Sequence, residues 1–178
     1  MHAADPTQSS TPPNQLDEET LEWLRQVFQA ARSGDAEPLA RLLGKGLPPN
    51  MRNERGDSLL MLACYHGHVD AAKVLLEHGA DPHLMNDNGQ APLHGAAFKG
   101  DLAVTTLLLD HGAQPDYAGA AGKTALMFAA MFNRVEIAKL LLERGADPGL
   151  RTLDGVSAGE LAQRMGAADT AALLAPAG

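Results

Sequence analysis

Aliphatic clusters recur along the chain at one spacing. Val74-Leu75-Leu76, Leu107-Leu108-Leu109 and Leu140-Leu141-Leu142 lie 33 residues apart, and Leu42-Leu43 and Leu173-Leu174 continue the series at its two ends. A column of small residues keeps the same register: Ala30, Ala63, Ala96, Ala129 and Ala162. Small side chains at a fixed position let two helices pack closely there. Glycine punctuates the pattern. Gly56, Gly89, Gly122 and Gly155 form one series, Gly34, Gly67, Gly100, Asn133 and Gly166 a second, and Gly46, Gly79, Gly112, Gly145 and Gly178 a third, all with a period of 33. Asn133 supports the register, because Asn is the usual substitute where the backbone needs positive φ.

Each interval predicts a helix, a turn and a second helix. In the interval opening near Asn53, Ser58 is placed to cap a helix reaching Tyr65 or His66. Gly67 supplies the turn, and a second helix from about Val69 to Glu77 carries Ala72, Val74, Leu75 and Leu76 inward. Gly79 ends it, and Asp81-Pro82 prevents its continuation. The Asn- and Asp-rich stretch to Gly89 predicts a turn-forming finger.

These residues resemble the ankyrin repeat family. Its T-P-L-H-x-A signature is matched by Ala91-Pro92-Leu93-His94-Gly95-Ala96, with relatives at Ser58-Leu59-Leu60-Met61 and Thr124-Ala125-Leu126-Met127. The run from Gly67-His68 through Val74-Leu75-Leu76-Glu77 to Gly79-Ala80-Asp81 resembles the second half of the repeat. The resemblance covers about residues 20–178. It implies an all-α solenoid of three full repeats between two capping units, with units at about 16–52, 53–85, 86–118, 119–151 and 152–178. It also implies structural roles for His68 and His94, the latter bonding neighbouring fingers.

Departures fall at the ends, where a solenoid must show one face to water. Glu22, Trp23, Leu24 and Arg25 stand where the first unit would carry the signature, and its helix is predicted to start from about Asp17. The last unit reads Gly155-Val156-Ser157-Ala158-Gly159-Glu160. Residues 1–15 hold three prolines and no aliphatic residue larger than Ala after Met1, so a disordered tail is expected, with order from Leu16.

Composition narrows the function. With 14 Lys and Arg against 22 Asp and Glu the net charge is −8, which argues against general nucleic-acid binding. Hydrophobic residues are 45% of the chain but aromatics only 4%, so aliphatic side chains must build the core. No apolar run approaches a bilayer span, so no membrane association is expected. A lone cysteine, Cys64, and the lack of a secretion-signal pattern favour a reducing cytoplasm. Cys64 lies beside the alanine column, and burial is its expected fate.

Other motifs dissolve into the repeat. Gly119-Ala120-Ala121-Gly122-Lys123-Thr124 ends like a phosphate loop, but Tyr117 stands where the first glycine is needed and no strand precedes it. The repeat explains Gly122 as a turn and Thr124 as a helix cap. His78 and His111 occupy equivalent positions near helix ends, and His66 and His83 lack a zinc-type partner set. No metal, no cofactor and no enzymatic activity are expected. The competing reading is a small-ligand carrier taking metal or haem on His and Met side chains.

The repeat does not account for two columns that follow the alanines. One is Tyr65, Phe98 and Met131; the other is His66, Lys99 and Phe132. Aromatics and Met are enriched in the cores of protein interfaces. In the ankyrin architecture these slots face the concave side, together with fingertip residues Glu54, Arg55, Asp57, Asp87, Asn88, Gln90 and Lys123. Residues 53–85 and 86–118 each carry −3 and residues 119–151 carry +2, which suggests a partner with a basic region facing the middle units. The expected function is that of a monomeric protein-binding module. Resemblance to small stand-alone bacterial ankyrin proteins adds an accessory or inhibitory partner of an enzyme as one form of it.

Overall fold

A computed structural model describes residues 17–175 of the chain. The expected tail at 1–15, the start at Leu16 and the last glycine of the third series, Gly178, lie outside the described residues. Among the described residues there are ten α-helices in five consecutive pairs. They are α1 (Glu18–Ser33) with α2 (Ala36–Gly44), α3 (Leu59–Tyr65) with α4 (Val69–Glu77), and α5 (Pro92–Lys99) with α6 (Leu102–Asp110). The series ends with α7 (Ala125–Met131) and α8 (Val135–Glu143), then α9 (Ala158–Arg164) and α10 (Ala168–Leu173). First helices stack on first helices and second on second, so two helical layers share one core. No helix among the described residues is long and apolar enough to cross a membrane.

Local chemistry sets the helix ends. Ser58 Oγ accepts from the Met61 N–H at 3.0 Å, as its position predicts, and Asp17 accepts from the Thr20 N–H at 2.7 Å to open α1. Ser157 and Glu160 form a reciprocal capping box on α9. Thr124 occupies the cap position of α7 without a side-chain bond to the helix. Asn133 takes φ 54°, as the glycines of its column do at 69–80°. Its side chain adds what glycine lacks: Oδ1 accepts from the Thr170 N–H at 3.1 Å, and Nδ2 donates to Asp169 at 2.9 Å.

Ala63, Ala96, Ala129 and Ala162 are each fully buried between stacked first helices. In the second layer, Leu75, Leu108 and Leu141 are fully buried. Val74, expected inside, is half-buried, because the middle position of each cluster points deepest. The fingers join edge to edge through backbone bonds, Asp87 N–H to Arg55 O at 3.1 Å, Ala120 N–H to Gly89 O at 2.8 Å and Leu153 N–H to Ala121 O at 2.9 Å. Gly119 is required by this approach: a Cβ there would run into the Gly89 carbonyl oxygen and the His94 ring.

His94 locks two fingers together, the role that the resemblance implies. Its Nδ1 accepts from the Ala91 N–H at 3.0 Å, which fixes the proton on Nε2, and Nε2 donates to the Tyr117 carbonyl at 2.8 Å. Burial holds the imidazole below the ordinary histidine range, opposed by the bond to Tyr117. Below about pH 6.5 the unfolded chain therefore binds more protons at this site than the folded one, and stability falls as the pH drops toward the lowered native value.

Two outcomes follow. Leu108→Ala should cost about 2–5 kcal/mol, the range for a cavity left by a fully buried leucine; chemical denaturation measures it, and an unchanged midpoint would remove Leu108 from the core. Urea midpoints at pH 7.5 and 5.5 should fall less in His94→Gln than in the parent protein. His66, shifted in the same direction, contributes to both proteins, so an equal fall would place the acid sensitivity elsewhere.

Candidate functional site

The first helices end side by side, and their last residues form a ridge. Tyr65 closes α3, Phe98 lies one residue before the end of α5, and Phe132 follows α7. The Tyr65 and Phe98 rings are nearly parallel with centroids 6.5 Å apart, and Phe98 meets Phe132 edge-on at 4.6 Å. Tyr65 is 40% and Phe132 37% exposed, with Phe98 half-buried between them. Lys99 places Nζ 5.0 Å above the Tyr65 ring, a cation–π contact. Met131 is half-buried beside this line. The aromatic path thus crosses from one predicted column to the other. Met165, 54% exposed and 33 residues after Phe132, extends the second column. That spacing was the signal available for it.

Between the ridge and the fingers runs a groove of about 550 Å³. It gathers Tyr65, His66, Glu54, Arg55, Asp57, Asn88 and Gln90 among the predicted residues. Phe98, Lys99, Met131, Phe132, Asp87 and Lys123 are not among its lining residues. Its floor includes Met61, Leu62 and Gly95, which the repeat pattern did not single out. Two asparagines shape the finger wall. Asn53 Oδ1 accepts from the Arg55 and Asp57 N–H groups, and Asn86 Oδ1 from those of Asn88 and Gln90. Asn86 Nδ2 then donates to Asp57 at 2.8 Å, tying the fingers together.

Charge is arranged differently from the unit totals. Of the middle acids, Asp70 and Glu77 are exposed on α4, Asp101 caps α6, and Asp110 pairs with Arg144 at 2.7 Å. On the fingers, Asp87 is held by Arg52 at 3.3 Å. Arg32, Lys99, Arg134 and Arg164 are exposed where first helices end, none within ion-pair distance of a carboxylate among the described residues. The net charge of a unit therefore does not describe its inner face.

The histidines are mostly tied to backbone. His78 and His111 turn Nδ1 onto carbonyls of their own helices, Val74 at 2.8 Å and Leu107 at 2.9 Å. His68 Nε2 meets the Arg32 carbonyl at 2.9 Å. His83 joins neighbouring fingers, with Nε2 accepting from the Gln114 N–H at 3.0 Å and its ring 4.7 Å from that of Tyr117. Among the described residues no three His, Cys, Asp or Glu side chains converge as metal ligands. Cys64 is fully buried, and burial pushes its thiol up, away from the reactive thiolate. The phosphate-loop look-alike forms a finger turn, Gly119 being followed by a short 3-10 segment at Ala120–Gly122.

Comparison with known proteins agrees with this architecture. A family model described as ankyrin repeats (3 copies) matches residues 27–119 and 78–152. A Pseudomonas aeruginosa protein named as an ankyrin repeat protein is 52% identical over 66 residues, which are 37% of this chain and 39% of that relative. The chain thus spans about two fifths of the length of the curated relative it matches. Ankyrin repeats are in general protein–protein interaction modules and typically not enzymes. With the paired helices, the 33-residue register and a family match running from residue 27 to 152, the chain belongs to the ankyrin repeat family.

Proposed function

We propose that this protein captures a partner protein noncovalently on the face formed by its first helices and fingers. One observation carries the reading: an aromatic line, Tyr65–Phe98–Phe132, exposed at both ends and half-buried at Phe98, that lies outside the core cluster. Aromatic side chains offer large contact area at low entropic cost and act as anchors in interfaces. Met131, His66 and Lys99 flank the anchors, and Arg55, Asp57, Asn88, Gln90 and Lys123 supply polar contacts from the fingers. The rigid stacking of the helices means that little ordering is needed on binding. The chain acts as a monomer in the cytoplasm, and attachment to an enzyme as accessory or inhibitor is one form such capture takes.

Immobilised protein exposed to native cell lysate tests this, with retained proteins identified by mass spectrometry. The parent protein should retain a discrete partner that the Phe98→Ala/Phe132→Ala variant does not. Each anchor removed should weaken the complex by about 2 kcal/mol, roughly thirtyfold. The same variants need melting curves. Loss of melting temperature with unchanged affinity for the retained partner would make these rings core residues and sink the proposal.

A further inference from the structure

Gly95 is the inner-face residue that the fold does not explain. It sits inside α5 with no left-handed backbone, where glycine weakens a helix relative to alanine. The equivalent positions in the other pairs are Gln29, Leu62, Phe128 and Leu161; Gln29 is exposed in the first pair, and the other three pack on the core. A Cβ at Gly95 would meet only Met61 Sδ and Tyr65 Cδ2, both at 3.6 Å, which is ordinary contact. At Gly119, by contrast, neighbouring backbone forbids a side chain. Neither backbone conformation nor crowding at the Cβ imposes glycine at position 95; the residue is buried, and the missing side chain leaves a notch in the floor of the groove.

The notch has an apolar base in Met61 and Leu62 and a wall in Tyr65. The Asn53 and Asn86 carboxamide oxygens beside it are already bonded within the finger turns. The rim is different. Arg32 and Arg55 line the groove and Lys99 stands over Tyr65, none paired with a carboxylate among the described residues. The lining also holds two acids, Glu54 and Asp57, the second hydrogen-bonded by Asn86, so with Lys99 the rim carries three cations against two carboxylates. His66, between these cations, is held below the ordinary histidine range by burial and then by His68, Arg32 and Lys99.

We propose that the Gly95 notch receives one large apolar side chain, Leu, Met or Phe, from an acidic segment of the partner, whose adjacent carboxylates meet Arg32, Arg55 and Lys99. This rests on the protein-binding reading above and names the chemistry recognised there. The apolar side chain takes the place that Leu62 and Phe128 fill in neighbouring pairs, and the flanking charges set its direction along the groove.

The test selects displayed random 12-residue peptides on the full chain, then measures the enriched peptides by fluorescence anisotropy. Enriched sequences should share one large apolar residue with Asp or Glu within three positions. Gly95→Ala should melt higher than the parent protein and keep its affinity. Gly95→Leu should weaken binding by about tenfold or more, the loss of one anchor, by more than any change in its melting curve accounts for. Should Gly95→Leu fold poorly, Gly95→Met fills the notch with a more adaptable chain and must give the same loss. Enrichment of basic peptides, or equal affinity for the filled variant, overturns the proposal. Peptides lost on Phe98→Ala but indifferent to Gly95→Leu overturn the notch and keep the binding face. An absence of enriched peptides, or indifference to both variants, overturns both readings.

Discussion

Everything on the inner face depends on how closely the first helices approach one another. The four fully buried alanines set that distance, since a larger side chain at any of them would push two pairs apart. The close approach brings successive fingers within reach of one another's backbone. Only then can Asp87 N–H find Arg55 O, and Ala120 N–H find Gly89 O. It also lays Tyr65 against Phe98 and Phe98 against Phe132. A core made of small and aliphatic residues thus produces a surface made of aromatic ones.

Much of the fold was legible because it repeats. The period located both helices of each pair and the positive φ of Asn133, a local demand met at the same place in every unit, and it located the Ser58 cap, which recurs at Ser157. Thr124 showed the limit of that logic, holding the cap position without making the bond. The ridge was legible in outline only. Spacing put Met131 next to Phe98 in one column, but which rings touch depends on side-chain direction, and the contact runs to Phe132. His83 was opaque because a histidine stands where Asn50 and Asp116 do the same work in the units on either side, each accepting from an amide 31 residues on. The placement of charge was hidden for a related reason. A unit's total mixes its inner and outer faces, and here many of the acids serve the outer helices, their caps and ion pairs.

Two glycines mark the difference between what a repeat requires and what it leaves free. Gly119 has no room for a side chain because a neighbouring finger occupies the space. Gly95 has room and gives it up. Positions of the first kind report on the scaffold. Positions of the second kind, with the exposed aromatics and unpaired cations, are where selection can act on recognition without disturbing the stack.

Asn133 and Thr170 bear on how such a stack comes apart. An interior pair is held from both sides, whereas among the described residues α9 and α10 pack on the α7 and α8 pair alone. Here that neighbour reaches across: the Asn133 side chain grips the first turn of α10, and Thr170 Oγ1 donates to the Ala130 carbonyl at 2.8 Å from a fully buried position. The final pair is latched to the array as well as packed on it. A zipper frays from its loosest tooth, and at this end the tooth is hooked: thermal or mechanical unravelling from the C-terminal side must open the latch before α9 and α10 can leave.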